Sequence, residues 1–138
     1  GEECDFNAKI YDFGVSREEE SEGATTYISG TIKYNAPEQK DGQSYDSKVD
    51  IFAFAVMTFE LFSEQEAYTD LKTKRLNDTQ LSQRVAQKGM RPDFNCQPKS
   101  DTPQEIIDMY KQNWELDPTK RMNSTELVEF LRKMYQSQ

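Results

Sequence analysis

The chain has 138 residues, 17 Lys+Arg against 25 Asp+Glu, a net charge of −8 and no histidine; this length suits one domain, and 35% hydrophobic with 12% aromatic residues can line its core. A mean hydropathy of −0.93 leaves no run near the roughly 20 apolar residues of a membrane span, and the acidic balance argues against nucleic acid and anionic lipid, which are held by Lys/Arg stripes. Without histidine, Ser-His-Asp and Cys-His catalysis and His-ligated metals are excluded, while Cys4 and Cys96 lack the spacing of a zinc site or disulfide framework and read as reduced thiols of a cytoplasmic protein.

In chain order, residues 8–11 alternate as a short strand stub that Asp12-Phe13-Gly14 breaks. Residues 15–35 carry Ser, Thr, Glu and Gly with no period of 2 or 3.6 and read as a long surface loop; loops of that length are usually functional. Within it Glu18-Glu19-Glu20 reads as a solvated face, because nothing nearby supplies convergent metal ligands. Ala36-Pro37-Glu38 is expected to open a short helical segment with Pro at its first position. Residues 47–62 are apolar on nearly all sides, which predicts a central helix buried on nearly all sides. A second helix is expected from a cap at Asp78 through Leu81 and Val85 to the stop at Lys88-Gly89. A third starts at Thr102-Pro103 and turns Ile106, Ile107, Tyr110 and Trp114 inward, and a fourth follows the capping box of Asn123 and Glu126. Gly1 opens the chain with no Met, basic segment or apolar signal core, and the chain reads as a piece of something longer.

Asp12-Phe13-Gly14 alone is a weak motif, but the long loop after it closes with Gly30-Thr31-Ile32-Lys33-Tyr34-Asn35-Ala36-Pro37-Glu38. DFG, then a loop of this length, then GTxxYxAPE, resembles the activation segment of the eukaryotic protein kinases. The resemblance continues through Asp50-Ile51-Phe52-Ala53-Phe54-Ala55-Val56, with Phe52 for the usual Trp and Ala55 for the usual Gly. Gly89-Met90-Arg91-Pro92 is similar to the GxRP turn of tyrosine-kinase-like members. Trp114-Glu115-Leu116-Asp117-Pro118-Thr119-Lys120-Arg121 resembles the late WxxDPxxR motif, with Met122 where proline is usual. The family's glycine-rich loop, strand lysine, partner glutamate and HRDxxxxN catalytic loop all precede DFG, and none of them lies within these 138 residues.

The resemblance implies a mainly α architecture: the helical portion of the kinase C-lobe, from an α+β fold, incomplete, with a short β stub at its N-terminus. Residues 12–38 would be the activation segment and 39–138 the helical remainder of the lobe. It further implies that Asp12 binds the Mg²⁺ that bridges the phosphates of ATP, with Phe13 setting active or inactive geometry and Gly14 permitting the turn. Thr31 would lie where the residue beside the phosphoacceptor is received, and with Tyr34 it favours Ser/Thr substrates. Thr25, Thr26 and Tyr27 stand where kinases are commonly phosphorylated. Glu38 and Arg121 would form a buried ion pair, and Asp50 would anchor the catalytic loop. The expected function is that of a Ser/Thr protein kinase acting on protein substrates, with this portion inactive without the missing half of its own domain; the rival reading is a pseudokinase or scaffold lobe that only docks partners.

Overall fold

The computed structural model describes residue 9, the backbone of residues 24, 25 and 44, residues 32–39, and residues 45–137. Asp12, Phe13, Gly14, the Glu18-Glu19-Glu20 run, Thr26, Tyr27 and Thr31 lie outside the described residues, as does the expected strand stub apart from Lys9. Among the described residues the chain is mainly helical, with four α-helices. They are α1 (Lys48–Ser63), α2 (Asp78–Gln87), α3 (Gln104–Asn113) and α4 (Ser124–Gln136). Two strands of two residues each, β1 (Ala24–Thr25) and β2 (Ser44–Tyr45), pair antiparallel with Thr25 opposite Ser44. Residues 15–35, expected as continuous loop, therefore contribute β1, and the single-turn 3₁₀ segment Ile32–Tyr34 as well. Neither is long enough to show a period of its own.

The core is built on α1. Val49, Ile51, Phe52, Ala55, Val56 and Phe59 are buried, and α3 packs across them. Phe59 meets Tyr110 edge to face, with ring centroids 5.8 Å apart, and Trp114 at 5.9 Å, while Tyr110 and Trp114 lie 4.8 Å apart. Such aromatic contacts add about 0.5–1.5 kcal/mol each beyond the area they bury. Burial of α1 on nearly all sides is not observed, however. Met57 and Leu61 are 46% and 70% exposed and Phe54 only half-buried. Spaced i, i+3 and i+7, these three side chains share one face, with Asp50 at its N-terminal end, also exposed.

The helix ends follow local chemistry. Asn123 caps α4 by accepting from the Glu126 amide, and the Glu126 carboxylate returns to the Asn123 amide, closing the expected box. In α2 the cap is Asn77 rather than Asp78, because Gln80 stands at the position that returns the reciprocal bond to Asn77. Gly89, at φ +67°, stops α2 in the left-handed region that an L side chain resists, and the Met90 amide folds back to the Arg84 carbonyl at 3.1 Å. Thr102 does not cap α3, whose first turn begins from Pro103 without a side-chain cap. Ala36-Pro37-Glu38 opens no helix either. The Gln39 amide donates to the Ala36 carbonyl at 2.9 Å, and the Gln39 side chain accepts from the Ala36 amide at 2.8 Å, so the segment closes as a single turn.

Candidate functional site

Residues 32–39 are held from below by one side chain. Arg121 Nη1 donates to Glu38 Oε2 at 2.6 Å and Arg121 Nη2 donates to Glu38 Oε1 at 2.9 Å, a two-pronged pairing across 83 positions of sequence. The Arg121 side chain is fully buried and that of Glu38 is 16% exposed. The remaining guanidinium donors are also used. Nε and Nη2 reach the Glu115 carbonyl at 3.0 and 2.8 Å, and Nη1 reaches the Lys48 carbonyl at 3.2 Å. Lys48 Nζ in turn donates to the Arg121 carbonyl at 2.6 Å. The turn at Glu38, the start of α1 and the 3₁₀ turn Pro118–Lys120 are thus tied at one point.

Phe52 lies between two cations. Its ring centroid is 5.1 Å from the Arg121 guanidinium carbon and 5.2 Å from that of Arg91. Arg91 is itself buried, and its guanidinium donates to the carbonyls of Trp114 at 2.7 Å, Val85 at 3.0 Å and Met90 at 2.7 Å. Burial pulls its pKa below the usual arginine value. The last carbonyls of a helix are short of donors and a guanidinium supplies five, so Arg91 can stay buried by serving the ends of α2 and α3 together.

The other side of the segment is held by carboxylates from α1 and the loop after it. Tyr34 donates its hydroxyl to Glu60 Oε1 at 2.7 Å, and Glu60 Oε2 accepts the Ala67 amide at 2.8 Å. Burial first, and the Glu60 carboxylate second, push the Tyr34 phenol up to about 12. Next to it Lys33 Nζ pairs with Glu66 Oε1 at 2.7 Å. Tyr68, with φ 58° and a buried ring, adopts a left-handed backbone that a bulky residue rarely holds.

Of the residues named from sequence, the structure brings Glu38 and Arg121 together, sets Asp50 in the first turn of α1, and describes only the backbone of Thr25. Asp12, Phe13, Gly14, Thr26, Tyr27 and Thr31 are outside the described residues. Glu60 with Tyr34, Lys33 with Glu66, and Arg91 as the second cation on Phe52 were not singled out; these contacts span 26, 33 and 39 positions and leave no local pattern. Asn113 was also missed. Fully buried in α3, it accepts the Met122 amide at 2.8 Å. Among the described residues no three His, Cys, Asp or Glu side chains converge as a metal site, and no helix is long and apolar enough to cross a membrane.

A family profile described as "Protein kinase domain" matches residues 3–131. Serine/threonine-protein kinase STY17 of Arabidopsis thaliana is 32% identical over 126 residues, 91% of this chain and 20% of its own length. A probable LIM domain-containing serine/threonine-protein kinase of Dictyostelium discoideum is 32% identical over 133 residues, 96% of this chain and 19% of its own. Serine/threonine-protein kinase STY46 of Arabidopsis thaliana is 31% identical over 126 residues, with the same 20% of its length covered. The chain spans about a fifth of the length of these curated relatives.

Proposed function

As this chain belongs to the protein kinase family, we propose that the complete protein carrying it transfers the γ-phosphoryl group of ATP to Ser/Thr hydroxyls of protein substrates. The observation that supports this most is the Glu38 to Arg121 fork. It fixes the C-terminal end of the segment that begins at DFG, and this class of catalysis is mostly positioning. Ser/Thr preference rests on Thr31 and Tyr34 and on the names of the relatives.

By the resemblance of Asp12-Phe13-Gly14 to the family's DFG motif, Asp12 would hold Mg²⁺, one carboxylate among phosphate oxygens, as this hard cation commonly accepts. When bound, the ion would neutralise charge on the phosphates. Phe13 and Gly14 would set the posture of that aspartate. No other group of the nucleotide site has a candidate in this chain. We therefore assign residues 12–38 to the activation segment and 39–138 to the helical remainder of the C-lobe, and place the catalytic base on a missing half of the domain. The stripe of Asp50, Phe54, Met57 and Leu61 on α1 is the face that half would cover. By this reading the 138 residues alone are inactive, and the complete protein acts in the cytoplasm.

The test is transfer of labelled phosphate from ATP to a mixed Ser, Thr and Tyr peptide pool by the complete protein and by an Asp12→Asn variant. Transfer to Ser/Thr peptides that Asp12→Asn abolishes is the expected result. A folded complete protein with no transfer would instead make this a scaffold lobe.

A further inference from the structure

A basic turn stands out on the surface of an acidic chain. Between α1 and α2 the sequence runs Leu71-Lys72-Thr73-Lys74-Arg75, three cations in four positions of a molecule with 25 acidic and 17 basic residues. Leu71, Lys72, Lys74 and Arg75 are exposed, Leu71 to 74%. The ion pairs among the described residues engage Lys33, Lys99, Lys111 and Arg121, and none of these three. Like charges so close repel one another, and no described carboxylate pairs with them.

The turn is fixed from beneath. Asp70 Oδ1 accepts the amides of Lys72 at 3.0 Å and Thr73 at 3.2 Å, and Asp70 Oδ2 accepts the Thr73 hydroxyl. The Lys74 amide donates to the Asp70 carbonyl at 3.0 Å, and the Leu76 amide to the Thr73 carbonyl at 3.0 Å. Thr73 is buried, and Leu76 packs against the core just ahead of the Asn77 cap of α2. The carboxylate that opens the turn is thereby spent on Thr73 and on backbone donors, and the three cations stay free. A backbone held in this way has little further freedom to lose when a ligand settles on it.

We propose that Leu71, Lys72, Lys74 and Arg75 form a docking surface for an acidic protein segment, a short run of Asp or Glu with an apolar side chain beside it. Arg75 can fork onto one carboxylate and each lysine can serve another as a point charge, while Leu71 offers the apolar contact. Complementary charge of this kind steers encounter and selects among partners. The size of the patch argues against extended polyanions. Nucleic acid and anionic membranes are held through many cations over a long surface, whereas here three cations sit in a chain of net charge −8. Docking at this turn needs neither ATP nor phosphoryl transfer.

The experiment is fluorescence anisotropy at physiological salt with the complete protein and a labelled peptide in which a run of glutamates precedes a leucine. The same peptide with glutamine for glutamate is the control. The glutamate peptide is expected to bind, more weakly as salt is raised, and about tenfold or more tighter than the control. Combined Lys72→Glu, Lys74→Glu and Arg75→Glu should weaken it about tenfold or more, the summed scale of three exposed pairs. The milder set Lys72→Gln, Lys74→Gln and Arg75→Gln should fall between, and it decides the matter if the reversed set does not fold. Reversal of Lys120, Arg132 and Lys133, exposed on other elements, changes the net charge equally and should leave affinity within about twofold, because screening confines the effect to neighbouring charges. No binding by wild type, equal binding of the two peptides, or unchanged affinity in the glutamine set would overturn the proposal. So would an equal loss from the reversal at Lys120, Arg132 and Lys133, which would make net charge the cause. Vesicles containing phosphatidylserine, if bound more tightly than the peptide through the same three cations, would put a membrane in place of the acidic segment and overturn it as well.

Discussion

Arg121 grips Glu38 with both terminal nitrogens, at 2.6 and 2.9 Å, from a fully buried position 83 residues away. A buried pair of this kind adds little net stability, because desolvation of both charges offsets their attraction, yet removing one partner costs about 3–5 kcal/mol by stranding the other. Arg121→Ala is expected to cost that much. Arg121→Lys should not restore it, since a point charge cannot reproduce the fork or serve the carbonyls of Glu115 and Lys48. A double-mutant cycle of Glu38→Ala and Arg121→Ala in denaturant unfolding isolates the pair. Coupling below about 0.5 kcal/mol, the range of exposed pairs, would contradict the buried geometry.

Phe52 stands where the family's usual residue is Trp, and it serves two guanidinium groups at 5.1 and 5.2 Å. Phe52→Leu keeps most of the volume and removes the ring's electrostatic attraction for both cations. The expected loss is about 1–3 kcal/mol, from two cation–π contacts of roughly 0.5–2 kcal/mol each less partial repacking. Phe52→Ala adds a cavity and should cost about 3–5 kcal/mol. Urea midpoints at constant slope measure both. A Phe52→Leu variant as stable as wild type would show that the ring acts only as apolar filler.

Met122 occupies a position where proline is usual in the family, and restoring the usual residue is expected to harm this protein. The Met122 amide donates to Asn113 Oδ1, and Asn113 is completely buried. Proline has no N–H to give, so Met122→Pro would leave that oxygen unsatisfied at about 1–3 kcal/mol. Met122→Leu, which keeps the amide, should be close to neutral. A thermal melt of the two variants decides the point; Met122→Pro melting at or above wild type would sink it.

The helices were legible because their signals are local. Asn123 with Glu126 is a spacing of three, and the Lys88-Gly89 stop is adjacent residues. From sequence Asp78 reads as well as Asn77 for the cap of α2, because Asn and Asp cap about equally well, and only the reciprocal bond of Gln80 selects Asn77. Pro37 pointed to a helix start, but a proline fixes only its own φ, and the Gln39 side chain closes the turn instead. The exposure of Met57 and Leu61 has no signal in sequence for another reason: an apolar run shows which side chains avoid water, not which of them find a neighbour within the same 138 residues. Glu38 with Arg121 could be read from resemblance. Glu60 with Tyr34 could not, because nothing in the spacing of a single glutamate on a helix marks its partner 26 positions earlier.

Tyr34 gives the protein a stability dependence at alkaline pH. Burial first, and Glu60 second, raise its phenol from 10.0 to about 12, so the folded state favours the neutral form. A raised folded-state pKa contributes stability that is fully present below the unfolded value and is lost as pH rises through the folded one. The window is therefore pH 10.0 to about 12. Tyr110 is raised to about 12 as well, so the informative quantity is the difference between wild type and Tyr34→Phe. That difference in denaturant midpoint should shrink across the window, and a constant difference would show that the phenol is not held by Glu60.

The final prediction concerns Thr25, Thr26 and Tyr27, which precede Gly30-Thr31 in the segment proposed above as the activation segment. A phosphate adds about −1.5 to −2 charge and three strong acceptor oxygens. On the N-terminal side the nearest charges in sequence are Glu22, Glu20, Glu19 and Glu18, which repel it, so a phosphate can order the segment only where a basic pocket receives it. Among the described residues Lys33 is already engaged by Glu66. In the family the receiving pocket includes the arginine of the HRD motif, which these 138 residues do not contain. We therefore predict that phosphorylation at Thr25, Thr26 or Tyr27, with Thr26 foremost, raises the activity of the complete protein and orders nothing in the isolated chain. The backbone of Thr25 pairs with Ser44, so hydrogen exchange at β2 offers a readout of ordering besides activity. Mass spectrometry of the active protein should find the phosphate, and the combined Thr25→Ala, Thr26→Ala and Tyr27→Phe variant should lose about tenfold or more in rate, the effect of some 1.4 kcal/mol on the barrier. Full activity of that variant would leave the segment without a regulatory role, and increased protection of β2 in a phosphorylated isolated chain would show that the receiving charge lies within these residues after all.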